Sequence, residues 1–175
     1  MTKSSLTTEL CVAVLGISML SSASTAQTIR NHDSDAPVDF SAGSLELQDR
    51  ADRVVLSGGV TATQAGLTLQ ANRVTAAYSS NGGVDVNRLD ATGGVTITKD
   101  DLRATSSSAI YDLDSSLITL LGNVRLVQGN NRLNGGRVVI DLNSGRSTIN
   151  GGGAPGTTQS GGRVTGTFTV PQRRN

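Results

Sequence analysis

The chain has 175 residues with two phenylalanines, two tyrosines and no tryptophan, so any core is built from Val, Leu, Ile and Ala. Fifteen Lys and Arg against fourteen Asp and Glu leave a net charge of +1, without the basic surplus that a general nucleic-acid binder needs. Twenty-one glycines against three prolines point to many tight turns rather than a Pro-rich disordered chain.

The N-terminus reads as an export signal. Met1-Thr2-Lys3 is a short basic region, Leu10 to Leu20 an apolar run, and Ser24-Thr25-Ala26 supplies small residues for cleavage before Gln27. The run is shorter than the roughly 20 residues a bilayer span needs. Cleavage of residues 1–26 would place the chain in the periplasm and remove Cys11, its one cysteine. No disulfide, thiol nucleophile or thiolate metal ligand would remain. Residues 27–36 read as a flexible lead-in, with the single histidine, His32, in a solvated stretch beside Asp33 and Asp35. Without a second His or a Cys, neither a zinc site nor a His-based acid–base pair can be assembled.

From residue 37 apolar side chains recur two apart, the pattern of half-buried strands. Val38 and Phe40 share a phase, as do Leu45 and Leu47, then Leu67 and Leu69, then Val74, Ala76 and Tyr78, and later Val138, Ile140 and Leu142. A weak repeat runs through Val54 to Ala62, Leu89 to Ile97 and Ile118 to Leu126, spaced 35 and 29 residues apart at Val60, Val95 and Val124. Each copy holds a Gly-Gly or Gly-Asn pair. A hairpin at that pair is one option. Apolar parity is unbroken across it (Leu56 with Val60, Ala91 with Val95, Leu120 with Val124), which favours a long strand that bends at glycine without exchanging faces. Stacked strand–turn–strand units of this kind bury a shared apolar seam. After Ile149 residues 150–175 form a Gly-rich, Arg-ended tail with one further short strand expected between Arg163 and Val170.

Charge is unevenly spread. Gln27 to Asp114 holds seven basic and twelve acidic residues, whereas Ser115 to Asn175 holds seven arginines and one acid, Asp141. Catalytic chemistry is hard to build from what remains. Gly151, Gly153 and Gly156 spell a dinucleotide fingerprint, but Pro155 lies inside it and no helix follows. The pairs Asp100-Asp101, Asp112 with Asp114, and Asp49 with Asp52 all fall at apparent turns, where Asp serves its own backbone. No enzyme, no cofactor, no catalytic residue and no metal site are expected.

Ordered segments across residues 37–149 resemble the OstA-like family of periplasmic lipopolysaccharide-transport proteins. They are Pro37 to Ala42, Val55 to Gln64, Leu67 to Val74, Ala109 to Leu113 and Leu120 to Leu126. The resemblance implies an all-β, twisted jellyroll of stacked antiparallel strands with an apolar interior groove open at both ends. It also implies lipopolysaccharide as cargo, an LptC-like inner-membrane partner, an LptD-like outer-membrane partner and head-to-tail self-association. By the same resemblance Val38, Phe40, Tyr111 and Leu113 face acyl chains. Parity adds Leu56, Val60, Leu69, Tyr78, Val95, Ile97, Leu120, Val124, Leu126 and Ile140 to the interior. These side chains could instead meet across the sheets and fill a core; in the groove reading, Ala62, Ala76, Ala91 and Ala104 leave room for lipid. The alternative function is a structural or adhesive β-solenoid at the cell surface with a sealed core. An LptC-like protein would need an uncleaved N-terminal anchor.

Overall fold

The computed structural model describes residues 32–79, 85–152 and 162–169; the expected signal segment and residues 27–31 lie outside them. Among these residues ten strands form in chain order: β1 (Asp39–Ser41), β2 (Ser44–Gln48), β3 (Arg53–Gln64), β4 (Leu67–Ser79), β5 (Asp85–Lys99), β6 (Leu102–Asp112), β7 (Leu117–Gln128), β8 (Asn131–Asp141), β9 (Ser147–Asn150) and β10 (Thr165–Thr167). Helical structure among the described residues is one 3₁₀ turn, Asp49–Ala51. Pairing is antiparallel throughout, and β3 to β8 form a meander in which each strand lies beside its sequence neighbours. β1 and β2 pair with successive parts of β3, so together they make one terminal edge. β9 and β10 do the same on β8 and make the other. Eight strand positions in a row, about 4.8 Å apart, give a roll roughly 34 Å long.

All three repeat pairs lie inside strands and not at hairpin turns. Gly58-Gly59, Gly93-Gly94 and Gly122-Asn123 all have positive φ, between 50° and 84°, a region glycine enters freely and asparagine more readily than most residues. Each pair stands opposite a single residue of the next strand, Asn72, Ser107 or Gly136, so a row of bulges crosses the sheet. The two-residue side of each bulge preserves parity on β3, β5 and β7. Their partners switch it: Leu69 and Ala71 give way to Val74 and Ala76, and Ala104 and Ser106 to Ala109 and Tyr111. Bulges bend strands and sharpen their twist, so this row folds the sheet into two leaves. The first leaf carries Arg53–Ser57, Val74–Ser79, Asp85–Thr92, Ser108–Asp112, Leu117–Leu121 and Arg137–Asp141. The second carries Val60–Gln64, Leu67–Ala71, Val95–Lys99, Leu102–Ser106, Val124–Gln128 and Asn131–Gly135.

The aspartates serve turns, as their positions suggest. Asp112 Oδ1 accepts from the Ser115 amide at 2.9 Å, and Asp141 Oδ1 accepts from Asn143 and Ser144 at 2.9 and 3.0 Å. Hydrogen bonds from Ser115 and Ser144 hold these two carboxyls below their ordinary range.

The apolar interior as candidate functional site

The inward faces of the two leaves form one cluster. Leu56, Leu120 and Ile140 enter it from the first leaf, and Val60, Leu69, Val95, Ile97, Val124 and Leu126 from the second. Tyr111 joins them, while Val38 and Leu113 are partly buried against them. That the leaves face each other is visible where Leu89 and Tyr111 of the first leaf line one void with Ala62, Leu67 and Leu69 of the second. The void measures about 10 Å³, on a scale where one water needs 10–15 Å³. At this point the two leaves meet closely, and the side chains of the cluster, with the small Ala62, Ala76, Ala91 and Ala104, are buried.

Tyr78 lies apart from the cluster. The ladder shifts register between Ala77 and Tyr78, and the Tyr78 amide donates to the Asp52 carbonyl at 3.0 Å, which brings the residue beside the Asp49–Asp52 turn. Phe40 lies opposite inward-facing Ala62 but is 55% exposed. It has company that periodicity indicated only in part: Leu45 and Leu47 lie opposite Leu56 and Val54 and are also more than half exposed. At the other edge Gly166 lies opposite Leu133, and Val164 and Phe168, in phase with it, are exposed. The inward apolar surface thus continues past the packed seam and emerges at both terminal edges.

The sequence pattern also missed a buried polar group. His32 does not lie in a solvated lead-in; it is 7% exposed. Lys99 Nζ donates to His32 Nδ1 at 3.3 Å and to the Ala65 carbonyl at 2.8 Å. The Tyr111 hydroxyl donates to Gln64 Oε1 at 2.7 Å. His32 Nε2 lies 3.1 Å from that hydroxyl and 3.2 Å from the same Gln64 oxygen. Since Nδ1 receives the ammonium, the network assigns the neutral ring with its proton on Nε2. Burial first, and then Lys99, push the His32 pKa below 6.5; burial raises that of Tyr111 and keeps it a donor. Among the described residues no carboxylate pairs with Lys99; the ion pair they form is Arg88–Asp90. A parity signal existed: Gln64 continues the inward phase of Val60 and Ala62, and Lys99 that of Val95 and Ile97.

Sequential strand order turns the charge asymmetry into a polarity along the roll. Asp39, Glu46, Asp49 and Asp52 outnumber Arg50 and Arg53 at the β1–β2 end, and Arg132, Arg137, Arg146 and Arg163 outnumber Asp141 at the β9–β10 end.

Comparisons with known proteins agree with this architecture. The family described as "LptA/(LptD N-terminal domain) LPS transport protein" matches residues 40–146. An uncharacterized protein of Rhizobium meliloti (strain 1021) is 28% identical over 153 residues, covering 80% of this chain and 82% of its own. Among solved structures, the crystal structure of LptH, the LptA-homologous periplasmic component of the lipopolysaccharide transport device of Pseudomonas aeruginosa, superposes with a TM-score of 0.69 at 21% identity. That match covers 79% of this chain and 99% of LptH.

Proposed function

Because this chain belongs to the LptA/LptD N-terminal-domain family of lipopolysaccharide transport proteins, we propose that it is a non-catalytic periplasmic bridge whose apolar interior shields lipid A acyl chains between the inner and outer membranes. The observation that carries this reading is the continuity of the inward apolar surface, which reaches solvent at both terminal edges through Phe40, Leu45 and Leu47 on one side and Val164 and Phe168 on the other. Each methylene kept from water contributes about 0.8 kcal/mol, so a chain of roughly a dozen carbons gains on the order of 10 kcal/mol by staying on such a surface. The leaves are packed at rest, and cargo enters by parting them. Residues 1–26 deliver the protein as a cleaved signal peptide. An LptC-like partner hands lipid in and an LptD-like partner takes it out.

Photo-crosslinking in cells tests the carrier role. A photoreactive residue at Phe40, Leu47 or Tyr111 should yield a lipopolysaccharide adduct, and one at outward-facing Thr119 should not. If no inward position gives an adduct, the role is lost. The tight packing of the seam favours one competing reading, a structural β-protein with a sealed core at the cell surface; it predicts no adducts and fractionation outside the outer membrane.

Self-association follows from the charge polarity. An acidic edge meeting an arginine-rich edge makes a heterologous, open-ended contact. Light scattering should show larger assemblies at about 0.01 M salt than at about 1 M, where the screening length falls from roughly 30 to 3 Å. Assemblies indifferent to salt would count against an electrostatic joint.

A further inference from the structure

Gln64 and Lys99 end β3 and β5 on the second leaf, and Tyr111 lies one residue from the end of β6 on the first. All three stand at the free margin opposite the bend, where parting leaves would open. The segment from His32 to Val38 lies across that margin. We infer that the hydrogen-bonded contact between Gln64 and Tyr111 closes a side entrance for a single acyl chain and that residues 32–38 are its intrachain occupant, displaced when a chain enters. This rests on the carrier function proposed above and adds a route and a gate to it.

Three observations support it. The void beneath the segment is lined by Val38, Ala62, Leu67, Leu69 and Leu89 with the Tyr111 ring, an apolar lining suited to methylenes. The segment is held by side chains and not by a ladder: strand pairing begins at Asp39, while Gln64 Nε2 donates to the Ser34 and Ala36 carbonyls, each at 2.8 Å. It can therefore leave without breaking the sheet. Finally, its anchor His32 is seated neutral against a cation. Protonation would remove the Nδ1 lone pair that Lys99 uses and set an imidazolium 3.3 Å from the ammonium.

The groups facing His32 fix the sign of the pH effect. Burial and Lys99 from β5 disfavour the imidazolium, the hydrogen bond to Gln64 from β3 and, more weakly, Asp33 on the segment itself favour it, and Tyr111 from β6 is an uncharged hydrogen-bond partner. Burial and Lys99 outweigh the opposing contributions, so the seated ring has the lower pKa. The segment's hold is complete above about pH 6.5 and weakens as pH falls below it, because the released segment takes up a proton that the seated one does not.

The test is binding of a dansyl-labelled undecanoic acid to the full chain, followed by fluorescence at about pH 7.5 and about pH 6. Wild type should bind more tightly at the lower pH. His32→Ala and Tyr111→Phe, which each remove hydrogen bonds from the gate, should bind about five- to tenfold more tightly at the higher pH, and His32→Ala should lose the extra pH dependence. His32 is the single histidine, so its imidazole NMR resonance gives a reading that needs no variant to fold. By reciprocity, the probe should raise its titration midpoint toward the ordinary value. Equal binding by all three proteins with equal pH profiles, and an unmoved His32 titration, would overturn the side entrance while leaving the carrier function standing. No binding by any of them at either pH would overturn the carrier function as well.

Discussion

Aspartate at both Phe40 and Leu47 is expected to abolish lipopolysaccharide capture while leaving the fold intact. Both side chains are more than half exposed, so their replacement removes little packing, and surface changes usually stay within about 0.5 kcal/mol. Yet both lie on the inward face, opposite Ala62 and Val54, where the proposed carrier function has acyl chains pass from one apolar surface to the next. Two carboxylates there would have to be desolvated beside methylenes, at a cost of several kcal/mol each. The measurements are the thermal midpoint, expected within a few degrees of wild type, and the Tyr111 crosslink to lipopolysaccharide in cells, expected to disappear while lipid accumulates at the inner membrane. Undiminished transport by a folded double variant would remove this edge from the lipid path.

The second large effect is on stability, and it separates two adjacent glycines. Gly93 and Gly94 have φ of +83° and +84°, so alanine at either costs roughly 1–2 kcal/mol of backbone strain. A Cβ on Gly94 meets nothing within 4 Å, whereas one on Gly93 comes within 2.7 Å of Asn72 Cβ. Crowding of that kind adds about 1–3 kcal/mol. Denaturant unfolding should therefore show Gly93→Ala losing about 2–5 kcal/mol and Gly94→Ala losing about 1–2 kcal/mol. Adding Asn72→Gly should recover part of the loss at Gly93 alone. Equal losses at the two sites would show that the bulge row is not held by this close approach.

Much of the fold could be read from sequence because alternation and glycine placement are local. Val95 and Ile97 announce a strand face by spacing alone, and unbroken phase from Ala91 to Val95 revealed that Gly93-Gly94 bends a strand instead of ending one. The parity switch on the partner strands was written in Leu69, Ala71, Val74 and Ala76, but its meaning appears only when the strands are paired. The interior was less legible. Whether aliphatic side chains meet or leave a gap depends on the separation of two leaves, which no periodicity encodes. The His32–Gln64–Tyr111–Lys99 group joins residues as far as 79 positions apart. A lone His among Asp and Ser resembles a linker until the residues that bury it are known. Tyr78 keeps the phase of Val74 and Ala76, but it stands near the end of β4 beside the Asp49–Asp52 turn, a neighbour that alternation along one strand does not reveal.

Among the described residues, hydrogen-bonded strand contacts run between successive turns of the meander, with the terminal edge strands laid on β3 and β8. Among the described residues no ladder closes the first long strand onto the last, so nothing in their geometry dictates how many hairpins there are. A unit such as β5–β6 can in principle be duplicated or deleted with only its two flanking junctions to satisfy. Span is thus a quantity that evolution, or a protein engineer, can adjust in steps of two strands, about 10 Å at a time, independently of how either terminus recognises its neighbour.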